Sequence, residues 1–82
     1  MKTISIDEYS TDMGPLISLE DSSDFKSIKG SINIKLSSLL DNPSKYLNKF
    51  KTYYFYCYNG TRSTRAVRIL SIYGYRAVKV TI

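Results

Sequence analysis

Tyr53-Tyr54-Phe55-Tyr56-Cys57-Tyr58-Asn59-Gly60-Thr61-Arg62-Ser63-Thr64-Arg65-Ala66-Val67-Arg68 passes from β-forming aromatic residues, through small polar turn residues, into an arginine-rich helical pattern. The aromatic run Tyr53 to Tyr56 predicts a strand, and Asn59-Gly60 predicts a tight turn. Ala66, Ile69, Leu70 and Tyr73 then recur at i, i+3, i+4 and i+7, the stripe of a helix that Gly74 caps at its C-terminus. The chain's single cysteine lies inside this strand–loop–helix unit. A thiol there faces backbone N–H groups that have no intrahelical partner and feels the positive end of a helix macrodipole, and both effects favour the thiolate. The bland alternative is a small buried hydrophobe that ends a strand.

Working outward, Thr3-Ile4-Ser5-Ile6 alternates at period two and predicts a first strand, followed by a polar turn or helical segment Asp7-Glu8-Tyr9-Ser10. Met13-Gly14-Pro15 breaks the chain before the short apolar run Leu16-Ile17-Ser18-Leu19, suited to a buried strand. Ser22-Ser23-Asp24 offers N-caps for a brief helix around Phe25 to Ile28, which Lys29-Gly30 ends. Ser31-Ile32-Asn33-Ile34 alternates again, and Leu36 to Leu40 predicts one helical turn before Asn42-Pro43. Pro43 suits the first position of a further helix of two turns, with Tyr46, Leu47 and Phe50 on its apolar face and its end near Lys51. Ala77-Val78-Lys79-Val80 predicts the last strand. Strands separated by helical segments, with few hairpin signals, imply an α/β fold: one domain over residues 1–82, with a mainly parallel sheet of about five strands and helices on both faces. In such sheets the functional crevice lies beyond the carboxyl ends of the strands, where Cys57 falls.

Composition narrows the function classes. All seven acidic residues lie within the first 41 positions, so residues 1–41 carry −3 and residues 42–82 carry +8. The cysteine therefore sits in an acid-free, basic half whose field would concentrate small anions or acidic partners. There is no histidine. A Cys–His dyad is thus excluded, and one thiol with scattered carboxylates gives no metal-ligand spacing. No stretch approaches the roughly 20 apolar residues of a membrane span, and Met1-Lys2-Thr3-Ile4 lacks the apolar core of a signal peptide. The expectation is a cytoplasmic protein without cofactor or membrane partner. The basic pI and the seven tyrosines after residue 42 raise nucleic-acid binding. Tyrosines within a covered strand are more often core residues than base-stacking platforms, so no nucleic-acid partner is expected.

Cys57 to Arg62 has the form C-x-x-x-x-R. Gly60 allows the backbone a positive φ, so the loop can curl around the sulfur and turn amides toward an anion. Arg62 and Arg65 are the local cations. Together with Arg68 they crowd the first turns of the helix, where the macrodipole disfavours cations by a few tenths of a kcal/mol or more each. An anion in the loop would offset that cost, with Arg62 the better placed and Arg65 a further electrostatic contributor.

Cys57-Tyr58-Asn59-Gly60-Thr61-Arg62-Ser63 resembles the active-site loop of single-domain rhodaneses. Leu16-Ile17-Ser18-Leu19 stands where that family has its first buried strand. Phe25 with Ile28-Lys29-Gly30-Ser31-Ile32-Asn33-Ile34 is similar to its F…GHIPGAINI segment, and Gly74-Tyr75 with Val78 to its GY…V ending. The resemblance implies a sulfurtransferase in which Cys57 takes a sulfane sulfur from thiosulfate or another persulfide donor and passes it, as a persulfide, to a thiophilic acceptor. Tyr58, Asn59, Gly60, Thr61, Arg62 and Ser63 would form the anion-binding loop. The implied partners are a small anionic sulfur donor and a thiol or cyanide-like acceptor, including a protein thiol. Ser18 and Glu20 replace the Asp and Arg of the family's IDVR strand, and Lys26-Ser27 replaces its GH. Those losses remove a buried acceptor and a structural ion pair that brace the loop, so a weaker activity is expected. The alternative is a non-catalytic binding module or sulfur carrier that docks an acidic partner. A phosphatase would need C-x-x-x-x-x-R, and Ser63 stands where its arginine would be.

Overall fold

The computed structural model describes residues 1–20 and 27–82. Among them the strands are β1 (Thr3–Ser5), β2 (Leu16–Ser18), β3 (Ile32–Asn33), β4 (Thr52–Tyr56) and β5 (Arg76–Thr81). They form one sheet in the order β1-β5-β4-β2-β3, and every neighbouring pair is parallel. The helices are α1 (Leu36–Asp41), α2 (Pro43–Tyr46) and α3 (Thr61–Ile72), with two short 3-10 turns at Ile6–Glu8 and Thr11–Met13. No helix among the described residues is long and apolar enough to cross a membrane.

The aromatic strand β4 occupies the middle of the sheet, and its pleat sorts successive side chains to opposite faces. Tyr53, Phe55 and Cys57 join Ile17 and Leu19 beneath Leu39, Ala66, Val67 and Leu70 from α1 and α3. Burial of each large apolar side chain in this layer contributes about 1.5–3 kcal/mol. Tyr54 and Tyr56 face the other way, with Leu16, Val78 and Val80, and are covered by Ile4, Ile6, Tyr9 and Ile28. All three described α-helical segments thus serve one face, while residues in and beside the first 3-10 turn serve the other. The hydroxyl of buried Tyr56 accepts the Ile28 N–H at 2.9 Å and lies 3.0 Å from Ser31 Oγ, tying the segment before β3 to the centre of the sheet.

The α/β architecture and the strand positions agree with the sequence reading, and several boundaries differ. Ile6 begins a 3-10 turn instead of extending β1, and β3 is reduced to Ile32–Asn33. The two-turn helix expected to end near Lys51 is the single turn α2, and Phe50 is 85% exposed. Local hydrogen bonds compete with the helix there. Asn48 donates its N–H to Tyr53 Oη at 2.7 Å, and its side-chain Oδ1 accepts the Phe50 N–H at 2.8 Å. On α3 the buried stripe is Ser63, Ala66, Val67 and Leu70, whereas Tyr73 lies beyond the helix end and is exposed. Of the helix read around Phe25 to Ile28, Phe25 and Lys26 lie outside the described residues, and Ser27 and Ile28 are not helical.

Candidate active site

The strand order reverses direction beside β4. The chain moves outward from β2 to β3 on one side and from β4 to β5 on the other, so the carboxyl ends of β2 and β4 flank a switch point of the kind at which open α/β sheets bind ligands. Cys57 directly follows β4. After it, Gly60 takes φ +80° as N-cap of α3 and has no side chain with which to cap it. The sulfur takes over that duty: Ser63, third residue of the helix, donates its N–H to Cys57 Sγ at 3.3 Å. A sulfur is held where a capping oxygen ordinarily sits. The thiol itself lies 3.5 Å from Ser63 Oγ and 3.9 Å from Asn59 Oδ1. Ser63 Oγ also donates to Gly60 O at 3.2 Å, closing the loop on itself.

The loop amides divide among different acceptors. Thr61 N–H donates to Asn59 Oδ1 at 3.1 Å, and Tyr58 N–H donates to the carboxylate of Glu20. The amides of Asn59 and Gly60 have no hydrogen-bond acceptor among the described residues. The expected inward cradle from Tyr58 to Ser63 is therefore narrower than the sequence suggested, because the Tyr58 and Thr61 amides are committed to side chains.

Glu20 is the residue of the candidate site that sequence reasoning underrated. Parallel register pairs Ser18 with Tyr56, so two residues further along each strand Glu20 reaches Tyr58. Its second oxygen, Oε2, lies 3.5 Å from Arg62 Nη1. The Glu20 backbone is itself held: its N–H donates to Ser18 Oγ at 3.4 Å, and Asn33 Nδ2 donates to the Glu20 carbonyl at 2.9 Å and to the Ser18 carbonyl at 3.3 Å. Ser18 and Glu20, read as losses of a brace, form a different one. Arg62 is correspondingly engaged with Glu20 beside the loop.

Cys57 is only 2% exposed, yet it lines a cavity of about 190 Å³ with Tyr58, Asn59, Gly60 and the end of β5. Lys79 lines the same cavity, and its Nζ would lie 3.2 Å from a Cβ placed on Gly60. The signal for Lys79 was present in the alternation of Ala77-Val78-Lys79-Val80. Val78 and Val80 turn to the opposite face, and Lys79 pairs in register with Phe55, on the side that carries Cys57. Tyr58 is exposed beside this opening. Arg65 is exposed on α3 and faces an adjoining groove and the end of α1, not the Cys57 cavity. Among the described residues no group of His, Cys, Asp and Glu side chains could hold a metal ion.

A parallel five-stranded sheet with a cysteine loop between its central strand and a following helix defines a rhodanese-type fold. The family model for the rhodanese-like domain matches residues 5–82, and the chain belongs to that family. Among solved structures, it is similar to a rhodanese-related protein from Thermoplasma volcanium, with 29% identity and a TM-score of 0.85 over 99% of this chain and 84% of the other. A protein from Staphylococcus saprophyticus matches at 27% identity and TM-score 0.85, over 99% of this chain and 87% of its own. The reduced Bacillus anthracis CoADR-RHD matches at 33% identity and TM-score 0.81, over 96% of this chain and 15% of that longer one. No curated protein matches the sequence.

Proposed function

We propose that this rhodanese-like domain is a sulfurtransferase that works through a Cys57 persulfide. The observation that carries the reading is the Ser63 N–H donated to Cys57 Sγ at 3.3 Å at the start of α3, beside a cavity that the sulfur lines. The Cys57 thiolate attacks the sulfane sulfur of thiosulfate; the new S–S bond forms as the old one breaks, and sulfite leaves with the bonding pair. The persulfide's outer sulfur is then taken by a thiol or by cyanide, which returns the thiolate. Neither step needs an acid or a base from the protein, which suits a chain with no histidine. Holding charge is the main task, and the helix N-terminus, Lys79 and the amides of Asn59 and Gly60 serve it. Thiols persist reduced in the cytoplasm, and that is the compartment proposed for this chemistry.

The second reading, a binding module or sulfur carrier, is favoured by one feature: Glu20 places a carboxylate against Tyr58 N–H and Arg62, where a donor anion would meet it. Intact mass after incubation with thiosulfate, then cyanide, separates the two. We expect a one-sulfur adduct on the native protein that cyanide removes, and none on Cys57→Ala. A folded native protein that gains no sulfur from thiosulfate or from a small persulfide would sink the enzyme reading in favour of the binding module.

A further inference from the structure

A second, larger depression of about 560 Å³ lies beside the Cys57 cavity and shares Asn59, Gly60 and Lys79 with it. Arg65, Arg68 and Lys79 line it, with Ile69 giving an apolar patch, and no carboxylate is among its described lining residues. Arg65 and Arg68, three apart on one helix, are surface neighbours. Arg65 and Arg68 on α3 and Lys79 on β5 thus bring three cations to one groove, and none of them forms an ion pair among the described residues.

We propose that this groove binds the phosphate-bearing end of a small thiol that exchanges sulfur with Cys57, an inference that rests on the sulfurtransferase reading. The magnitudes select phosphate over carboxylate. A single carboxylate at an exposed guanidinium is worth no more than about 1 kcal/mol and is screened by salt. A phosphate dianion or pyrophosphate can take two parallel hydrogen bonds from each guanidinium and a further charge from Lys79. The groove, at about 560 Å³, is within the size range of sites for drug-sized ligands, and the Cys57 cavity beside it, at about 190 Å³, is smaller. A carrier whose phosphates lie against Arg65 and Arg68 leads its thiol past Gly60 toward Cys57. In the exchange the carrier thiolate attacks the outer sulfur of the Cys57 persulfide. A carrier persulfide forms, and the Cys57 thiolate leaves with the bonding pair.

The test uses coenzyme A as a phosphorylated thiol, glutathione as a carboxylated one and 2-mercaptoethanol as one without an anionic handle. Calorimetry on the unreacted protein is expected to show coenzyme A binding that inorganic pyrophosphate displaces, with glutathione much weaker. Arg68→Gln and Arg65→Gln, both at exposed positions, should each weaken coenzyme A binding roughly tenfold, the loss of one charge-assisted contact. In sulfur transfer from persulfidated protein, the ratio of kcat/KM for coenzyme A to that for 2-mercaptoethanol should fall by the same factor. Coenzyme A binding that ignores both substitutions, or glutathione binding as tightly as coenzyme A, would overturn the proposal. Coenzyme A binding that depends on both arginines, in a protein that never accepts sulfur, would support the groove while removing the sulfurtransferase reading.

Discussion

Cys57 and Glu20 meet on the same short loop with opposite consequences. The sulfur receives the Ser63 amide, while the Glu20 carboxylate takes the Tyr58 amide and the Arg62 guanidinium. Substituting Glu20→Gln keeps an oxygen for Tyr58 N–H and removes one negative charge from beside Arg62 and the loop. Reaction with the thiosulfate dianion should then quicken severalfold, a barrier change on the order of 1 kcal/mol. Stopped-flow rates with thiosulfate and with uncharged iodoacetamide check this, and an equal or slower thiosulfate reaction would show that Glu20 serves only to brace the loop. Ser63→Ala leaves the amide-to-sulfur bond and deletes a buried hydroxyl held by Gly60 O and Cys57 Sγ. Urea unfolding should register a loss of about 1 kcal/mol with the cysteine still reactive. Complete loss of reactivity in this variant would transfer the key role from the amide to the hydroxyl.

At the scale of elements, β4 holds both faces together. Tyr53 Oη accepts Asn48 N–H on the helix side, and Tyr56 Oη accepts Ile28 N–H on the other. Tyr56→Phe removes the acceptor from Ile28 N–H, so unfolding free energy should drop by about 1–3 kcal/mol in a denaturant titration. A loss under half a kcal/mol would mean that water replaces the phenol. Gly14, between the second 3-10 turn and β2, has φ +151°, and a Cβ there would collide with the backbone oxygen of Thr52 at the start of β4. Gly14→Ala should cost on the order of 3 kcal/mol, seen as a lowered Tm, because backbone on both sides would have to move. An unchanged Tm would show that this junction yields freely.

Over the whole molecule, the net charge of +5 and the placement of Lys79 beside Cys57 favour the approach of anions to the site. The second-order rate with thiosulfate should fall steadily from low salt to about 0.5 M, as the Debye length shrinks to a few ångströms. The rate with iodoacetamide should change little over the same range. Parallel salt dependence for both reagents would indicate that the fold, not the field, responds to salt.

The α/β class, the central aromatic strand, the cysteine loop and the start of α3 were legible in the sequence, because each rests on neighbours along the chain: pleat alternation, a turn glycine, helical periodicity. Phe50 misled because Asn48 and Tyr53 compete with the helix through hydrogen bonds that a periodic pattern does not display. Ser18, Glu20 and Lys79 were visible as residue types, but their roles depend on register. Ser18 opposite Tyr56 delivers Glu20 to the Tyr58 amide, and Lys79 opposite Phe55 turns its side chain to the face of Cys57. Sequence alone singled out the one thiol that the proposed chemistry can use and set how long its loop is. Only the tertiary structure decided which charges surround that atom, because strand pairing brings together residues 37 or more positions apart in one case and 22 in the other.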